Sequence, residues 1–175
     1  AMVKHIMQSG MIFVICFGLF NLQTASAEGN IDSTYKYAWS ENSGWENFRS
    51  AYGGVTVHDA YLSGYAWAEN IGWVKLGSGA GPYDNTNNAN WGVNRDSATG
   101  ALSGHAWSEN VGWINFNVTD KNPDGVSIAP GILKFNGYAW AENVGYIHFR
   151  NGSPEYFVML ENGAPDGLVG TIPSL

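Results

Sequence analysis

Gly64-Tyr65-Ala66-Trp67-Ala68-Glu69-Asn70-Ile71-Gly72-Trp73 decides how this chain is read, because the same phrase returns three more times with few changes. The other copies run from Tyr37 to Trp45 (YAWSENSGW), Gly104 to Trp113 (GHAWSENVGW) and Gly137 to Tyr146 (GYAWAENVGY). A self-similar chain is built from supersecondary units that bury their apolar faces on one another. The repeat points to a scaffold or binding protein before an enzyme.

The first Trp of each phrase stands at Trp39, Trp67, Trp107 and Trp140, giving spacings of 28, 40 and 33. Unequal periods mean a constant unit joined by loops of different length, and the extra residues fall in 77–90 and 117–125. Short β-branched stretches (Val55-Thr56-Val57, Val93, Val126-Ser127-Ile128) precede three of the copies, and alternating apolar runs flank each Glu-Asn-x-Gly turn. These are strand and hairpin signals, and no helical period is sustained after Glu28. The expected fold is all-β, with four three-stranded antiparallel units (about 31–50, 51–78, 91–118 and 125–150) in a closed, propeller-like ring or a tight stack. Unit one lacks a preceding β-branched strand, whereas Tyr156–Leu160 is an unmatched strand after unit four. Pairing of that run, in a closing strand of about 155–161, with unit one would close the ring and hide its edges.

The turn decides which side chains share a face. A four-residue loop, Glu69-Asn70-Ile71-Gly72, sets Trp67 opposite Val74 and Tyr65 opposite Leu76, making an apolar face. The first Trp of each phrase is then core, and the second lies over small residues with Lys75. A three- or five-residue loop instead pairs Trp67 with Trp73 and moves both to the Lys75 face. The four-residue loop is the expectation, because it separates apolar from polar positions more cleanly. Recurrent Gly and Ala are expected opposite large rings where units stack.

The phrase G-Y-A-W-[SA]-E-N-[IV]-G-W-[IV]-x-F, best matched from Gly92 to Phe116, resembles a repeat of exported bacterial proteins in which a G-V-x-[IV]-D strand precedes each copy. The resemblance covers roughly residues 34–149 and departs most at 34–48, where Lys36 replaces Gly. It implies secretion and a repeat β fold, and carries no activity.

Lys4 and His5 precede the apolar run Met11–Phe20, and Ala25-Ser26-Ala27 supplies small residues for cleavage, the pattern of a secretory signal over residues 1–27. The run is too short for a membrane span of about 20 residues, so no transmembrane anchor is expected after cleavage. A domain from 28 to 175 follows, without cysteine because Cys16 leaves with the signal, and with 7 Lys and Arg against 15 Asp and Glu. Such a chain is poorly suited to nucleic acid or anionic membranes, since binding phosphates takes cationic side chains. Neutral glycans, polycations, divalent metals and other copies of itself remain as partners.

Glu41, Glu69, Glu109 and Glu142 are the obvious carboxylates, but equivalent turns offer equivalent environments, and a glycosidase needs two that differ. With Asn42, Asn70, Asn110, Asn143 and Gly44, Gly72, Gly112, Gly145 they read as structural turn residues whose side chains bond local N–H groups. Trp45, Trp73, Trp113 and Tyr146, beside Asn47, Lys75, Asn115 and His148, could form repeated sugar platforms, an aromatic face for C–H groups with polar groups for hydroxyls. The competing reading packs these rings on the next unit. Asp120, Asn122 and Asp124 fit the start of a Ca²⁺ loop, although Gly131 stands where its Glu belongs. His58, His105 and His148 show no metal spacing. The expectation is an exported, non-enzymatic structural or adhesive protein, secreted or in the cell envelope, with carbohydrate as a candidate ligand. The alternative is a carbohydrate-active hydrolase using two of the repeated Glu.

Overall fold

The computed structural model describes residues 29–117, 119, 123–128 and 130–161. The expected signal segment and two of the calcium-loop residues, Asp120 and Asn122, lie outside them. Each phrase folds as a hairpin: β1 (Ile31–Ser40) with β2 (Gly44–Asn47), β5 (Leu62–Ala68) with β6 (Gly72–Lys75), β8 (Leu102–Ser108) with β9 (Gly112–Asn115), and β11 (Asn136–Ala141) with β12 (Gly145–His148). The hairpins pair edge to edge through Asn47 with Trp67, Lys75 with Trp107, Asn115 with Trp140 and His148 with Trp39. The last pairing closes an eight-stranded antiparallel barrel, in place of a propeller or a stack. Among the described residues no helix is long and apolar enough to cross a membrane.

The hairpin register overturns the expected loop. Ala68 pairs with Gly72, Trp67 with Trp73, Ala66 with Val74 and Tyr65 with Lys75, so the loop has three residues, Glu69-Asn70-Ile71. Gly72 and its equivalents Gly44, Gly112 and Gly145 take φ between 74° and 85°, where a side chain would be strained. Both Trp rings of a phrase consequently point outward, and neither is core. The inward face carries Ala38, Ala66, Ala106 and Ala139 across from Glu46, Val74, Ile114 and Ile147, all buried. An eight-stranded barrel is just wide enough for its side chains to fill, and alternation of Ala with branched residues fills it where indoles could not. The recurrent Ala thus lines the interior, on the opposite face of the sheet from the rings.

Each phrase also fixes what lies below the barrel. Phe48, Leu76, Phe116 and Phe149 follow the second strands and donate N–H bonds to the carbonyls of Lys36, Gly64, Gly104 and Gly137 at 2.9–3.1 Å. Their buried side chains, joined by Phe135, floor the barrel, with Phe48 and Phe149 ring centres 5.4 Å apart. Outer strands β4 (Gly53–Val57), β7 (Val93–Arg95) and β10 (Val126–Ser127) place Val55, Val93 and Val126 opposite Gly64, Gly104 and Gly137. A Cβ on those glycines would stand 1.8–2.2 Å from a carbonyl oxygen of the outer strand or the residue preceding it, so no other residue fits there. β3 (Arg49–Ser50) and β13 (Arg150–Gly152) are short extensions on β4 and on the last strand, β14 (Glu155–Leu160). β14 pairs with β1, setting Val158 opposite Lys36, so the C-terminal run supplies the outer strand that the first phrase lacks; the ring itself is closed by β12 on β1 and not, as expected from the sequence, by this run.

Candidate functional site

At the barrel mouth the Glu-Asn-x-Gly turns join in a ring. Asn42 Nδ2 donates to the carbonyl of Val144 (2.8 Å), Asn70 to Asn42 (3.2 Å), Asn110 to Ile71 (2.9 Å) and Asn143 to Val111 (3.2 Å). Each turn therefore holds its neighbour, where the sequence reading expected Asn to bond within its own turn. Glu69 accepts from the Trp45 N–H of the preceding turn, while Glu109 accepts from the indole Nε1 of Trp107 (3.1 Å). Glu41, Glu69, Glu109 and Glu142 are all exposed around this rim.

Below the mouth runs an outward band of aromatic pairs. Trp39 and Trp45, Trp67 and Trp73, Trp107 and Trp113, and Trp140 and Tyr146 meet edge to face at 4.7–4.9 Å between ring centres. Each such contact contributes about 0.5–1.5 kcal/mol and fixes the ring's tilt. Trp73, Trp113 and Tyr146 nevertheless stay 38%, 40% and 45% exposed, so packing between units does not cover them. Asn47, Lys75, Asn115 and His148 lie in the next row down, each paired with the first aromatic of its own hairpin (Tyr37, Tyr65, His105 or Tyr138) and the leading Trp of the next hairpin. The structure thereby brings Trp45, Trp73, Trp113 and Tyr146, with Asn115 and His148, into one belt. His148 stacks on Tyr138 at 4.1 Å and bonds the Tyr156 hydroxyl at 3.1 Å. Burial lowers the pKa of His148, as it does for His105 and His58.

At least five recesses notch the belt, two of them, about 420 and 280 Å³, against Trp39 and Tyr156. A third, of about 420 Å³, lies where β14 meets the first hairpin, between Tyr35, Tyr37, Trp45 and Tyr156, with Glu69 and Glu155 at its edges. A fourth, about 370 Å³, is bounded by Tyr138, Tyr146, Pro123 and Asp124, the described member of the calcium-loop trio. Another, about 260 Å³, lies between Trp113 and the Asn85–Asn88 loop. Among the described residues, no three His, Cys, Asp or Glu side chains come together as a metal group.

Sequence reasoning missed one group entirely. Glu46 points into the barrel, 1% exposed, at the position held by Val74, Ile114 and Ile147 in the other hairpins. It accepts a 2.7 Å bond from Ser43 Oγ, which occupies the place of Ile71, Val111 and Val144. Burial pushes its pKa up to about 7, only partly offset by the Ser43 bond. Aligning the four phrases would have flagged Ser43 and Glu46 as paired departures, but only the register shows that both point inward.

No protein-family model, curated protein or solved structure matches this chain.

Proposed function

We propose that the protein is an exported, non-enzymatic module of four repeated hairpin units that binds carbohydrate through its outer aromatic belt, in a structural or adhesive role. The observation that carries this reading is the outward, half-exposed ring pair in every phrase. Burying these rings would stabilise the fold, yet the register spends the interior on Ala and turns the largest side chains to water. Rigid exposed rings beside amide and imidazole groups suit sugars, whose C–H faces stack while their hydroxyls find hydrogen-bond partners. Four such surfaces on one body strengthen binding to a polymeric glycan by multivalency. The net charge of −7 favours neutral over acidic polymers.

A hydrolase is the less favoured reading. Hydrolysis of a glycoside needs one protonated and one ionised carboxyl beside the sugar. Glu69 and Glu155 share a recess but both are solvent-exposed, and the sequestered carboxyl, Glu46, is sealed inside the barrel.

Binding of the folded protein to an immobilised glycan array tests the proposal, with a quadruple Trp45, Trp73, Trp113 and Tyr146 to Ala variant as comparison. Binding to one polymer class that the variant loses by tenfold or more is expected, the cost typical of removing aromatic anchors. An array silent for the folded protein would overturn it.

A further inference from the structure

The longest spacing between phrases, from Trp67 to Trp107, is spent on a loop that folds back onto the belt. Its neck is closed by a bridge between Gly77 and Gly92 and by Ser78 N–H donating to the Trp91 carbonyl at 2.7 Å. Tyr83 plugs it from inside. The Tyr83 hydroxyl donates toward the carbonyls of Leu62 (3.0 Å) and Gly79 (2.7 Å), and the ring lies so close to Gly77 and Gly92 that a Cβ on either would stand 2.1–2.3 Å from it. Asn94 clamps the Tyr83 backbone, accepting from its N–H at 2.8 Å and donating to its carbonyl at 2.7 Å. The tip is equally fixed: Asn85 Oδ1 accepts from Gly92 N–H, and Asn87 Oδ1 from the N–H groups of Ala89 and Asn90, at 2.8–3.1 Å.

This anchored loop turns a flat ring surface into a walled site. Asn85–Asn88 form one side of the 260 Å³ recess, and Trp91, Trp113 and His105 the other. Trp113 is held by Trp107, Trp91 and His105, edge to face at 4.7, 5.1 and 6.0 Å, while staying 40% exposed. Its size is just below the usual range for drug-sized ligands, which suits one sugar ring rather than a long run.

Charge narrows the ligand further. The recess is lined by amide, hydroxyl, indole and imidazole groups, with no Asp, Glu, Lys or Arg among them. Lys75 Nζ already lies 5.7 Å over Trp91, so the attraction of that ring for a cation is met within the chain. No Lys or Arg lines the recess itself to pair with an acidic sugar, the Lys75 ammonium being engaged on Trp91.

We propose that this loop-walled recess is the principal glycan site, taking a single neutral sugar ring stacked on Trp113 with its hydroxyls on the amides of Asn85–Asn88. The inference rests on the carbohydrate-binding reading above and specifies which of the four surfaces dominates and what charge it accepts.

Calorimetric titration of the folded protein with neutral hexasaccharides (gluco-, xylo- and manno-oligomers) and with an acidic oligogalacturonate separates the two claims. Binding to a neutral oligomer is expected, weakened about tenfold or more in Trp113→Ala and several-fold in Asn88→Ala, but less than threefold in Trp73→Ala. Asn88 is exposed on the loop, so its variant tests the site without disturbing the barrel. The indole N–H resonance of Trp113 should shift on titration. Binding that survives Trp113→Ala and Asn88→Ala but is lost in Trp73→Ala would overturn this assignment and leave the belt as a glycan surface. Stronger binding to oligogalacturonate would overturn the neutral specificity. No binding to any oligomer, together with a silent array, would remove both.

Discussion

Glu46→Gln should make the barrel more stable at neutral and alkaline pH, and by an amount that vanishes in acid. The carboxyl is buried and its pKa rises from 4.5 to about 7. A group with a raised folded-state pKa contributes its full stability below 4.5 and loses it as pH climbs through 7. The folded state then carries an ionised, desolvated carboxylate at a cost of about 3 kcal/mol. Glutamine keeps the shape and can still accept the Ser43 hydrogen bond, but has no charge to bury. Urea titrations at half-unit intervals from pH 4.5 to 8.5 should show the two proteins converging at the acid end and separating to about 3 kcal/mol at the alkaline end, or on the order of 10 °C in midpoint temperature. His58, His105 and His148 have lowered pKa values and act with the opposite slope, their destabilisation growing as pH falls through 6.5. They are common to both proteins, so the difference curve isolates Glu46. Parallel curves across the whole range would refute the reasoning, because the ionisation of Glu46 would then be uncoupled from folding.

Gly104→Ala should destabilise by roughly 2–5 kcal/mol in thermal unfolding, since φ is +87° and the new Cβ would sit 2.2 Å from the Gly92 carbonyl oxygen. Asn70→Ala removes one member of the ring of turn-to-turn bonds and should cost about 0.5–1.5 kcal/mol, with faster amide exchange at the mouth of the first two hairpins. Phe149→Ala opens the floor of the barrel among Phe48, Phe116 and Phe135 and should cost about 3–5 kcal/mol, read from the urea midpoint. Val158→Asp places a carboxylate at a fully buried position on β14, and should expose β1 and cause concentration-dependent aggregation detectable by light scattering.

The repetition of a ten-residue phrase with alternating polarity determined an all-β chain of linked hairpins, and the unmatched run at 156–160 pointed correctly to pairing with the first phrase. Those features are local or additive, and period-two alternation shows in the residues themselves. The facing of the rings was decided only in three dimensions. Shortening the loop from four residues to three turns the first strand of each hairpin over relative to the second, moving the leading Trp outward and Ala inward, and local patterning favoured the other arrangement because it placed the larger apolar ring in the core. Closure into a narrow barrel reverses that preference, since an interior of eight strands accepts Ala, Val and Ile and expels indoles. The same closure buries Glu46 with Ser43, while the hydrogen bonds that anchor the 77–92 loop bring Asn85–Asn88 beside Trp113, distant from it along the chain.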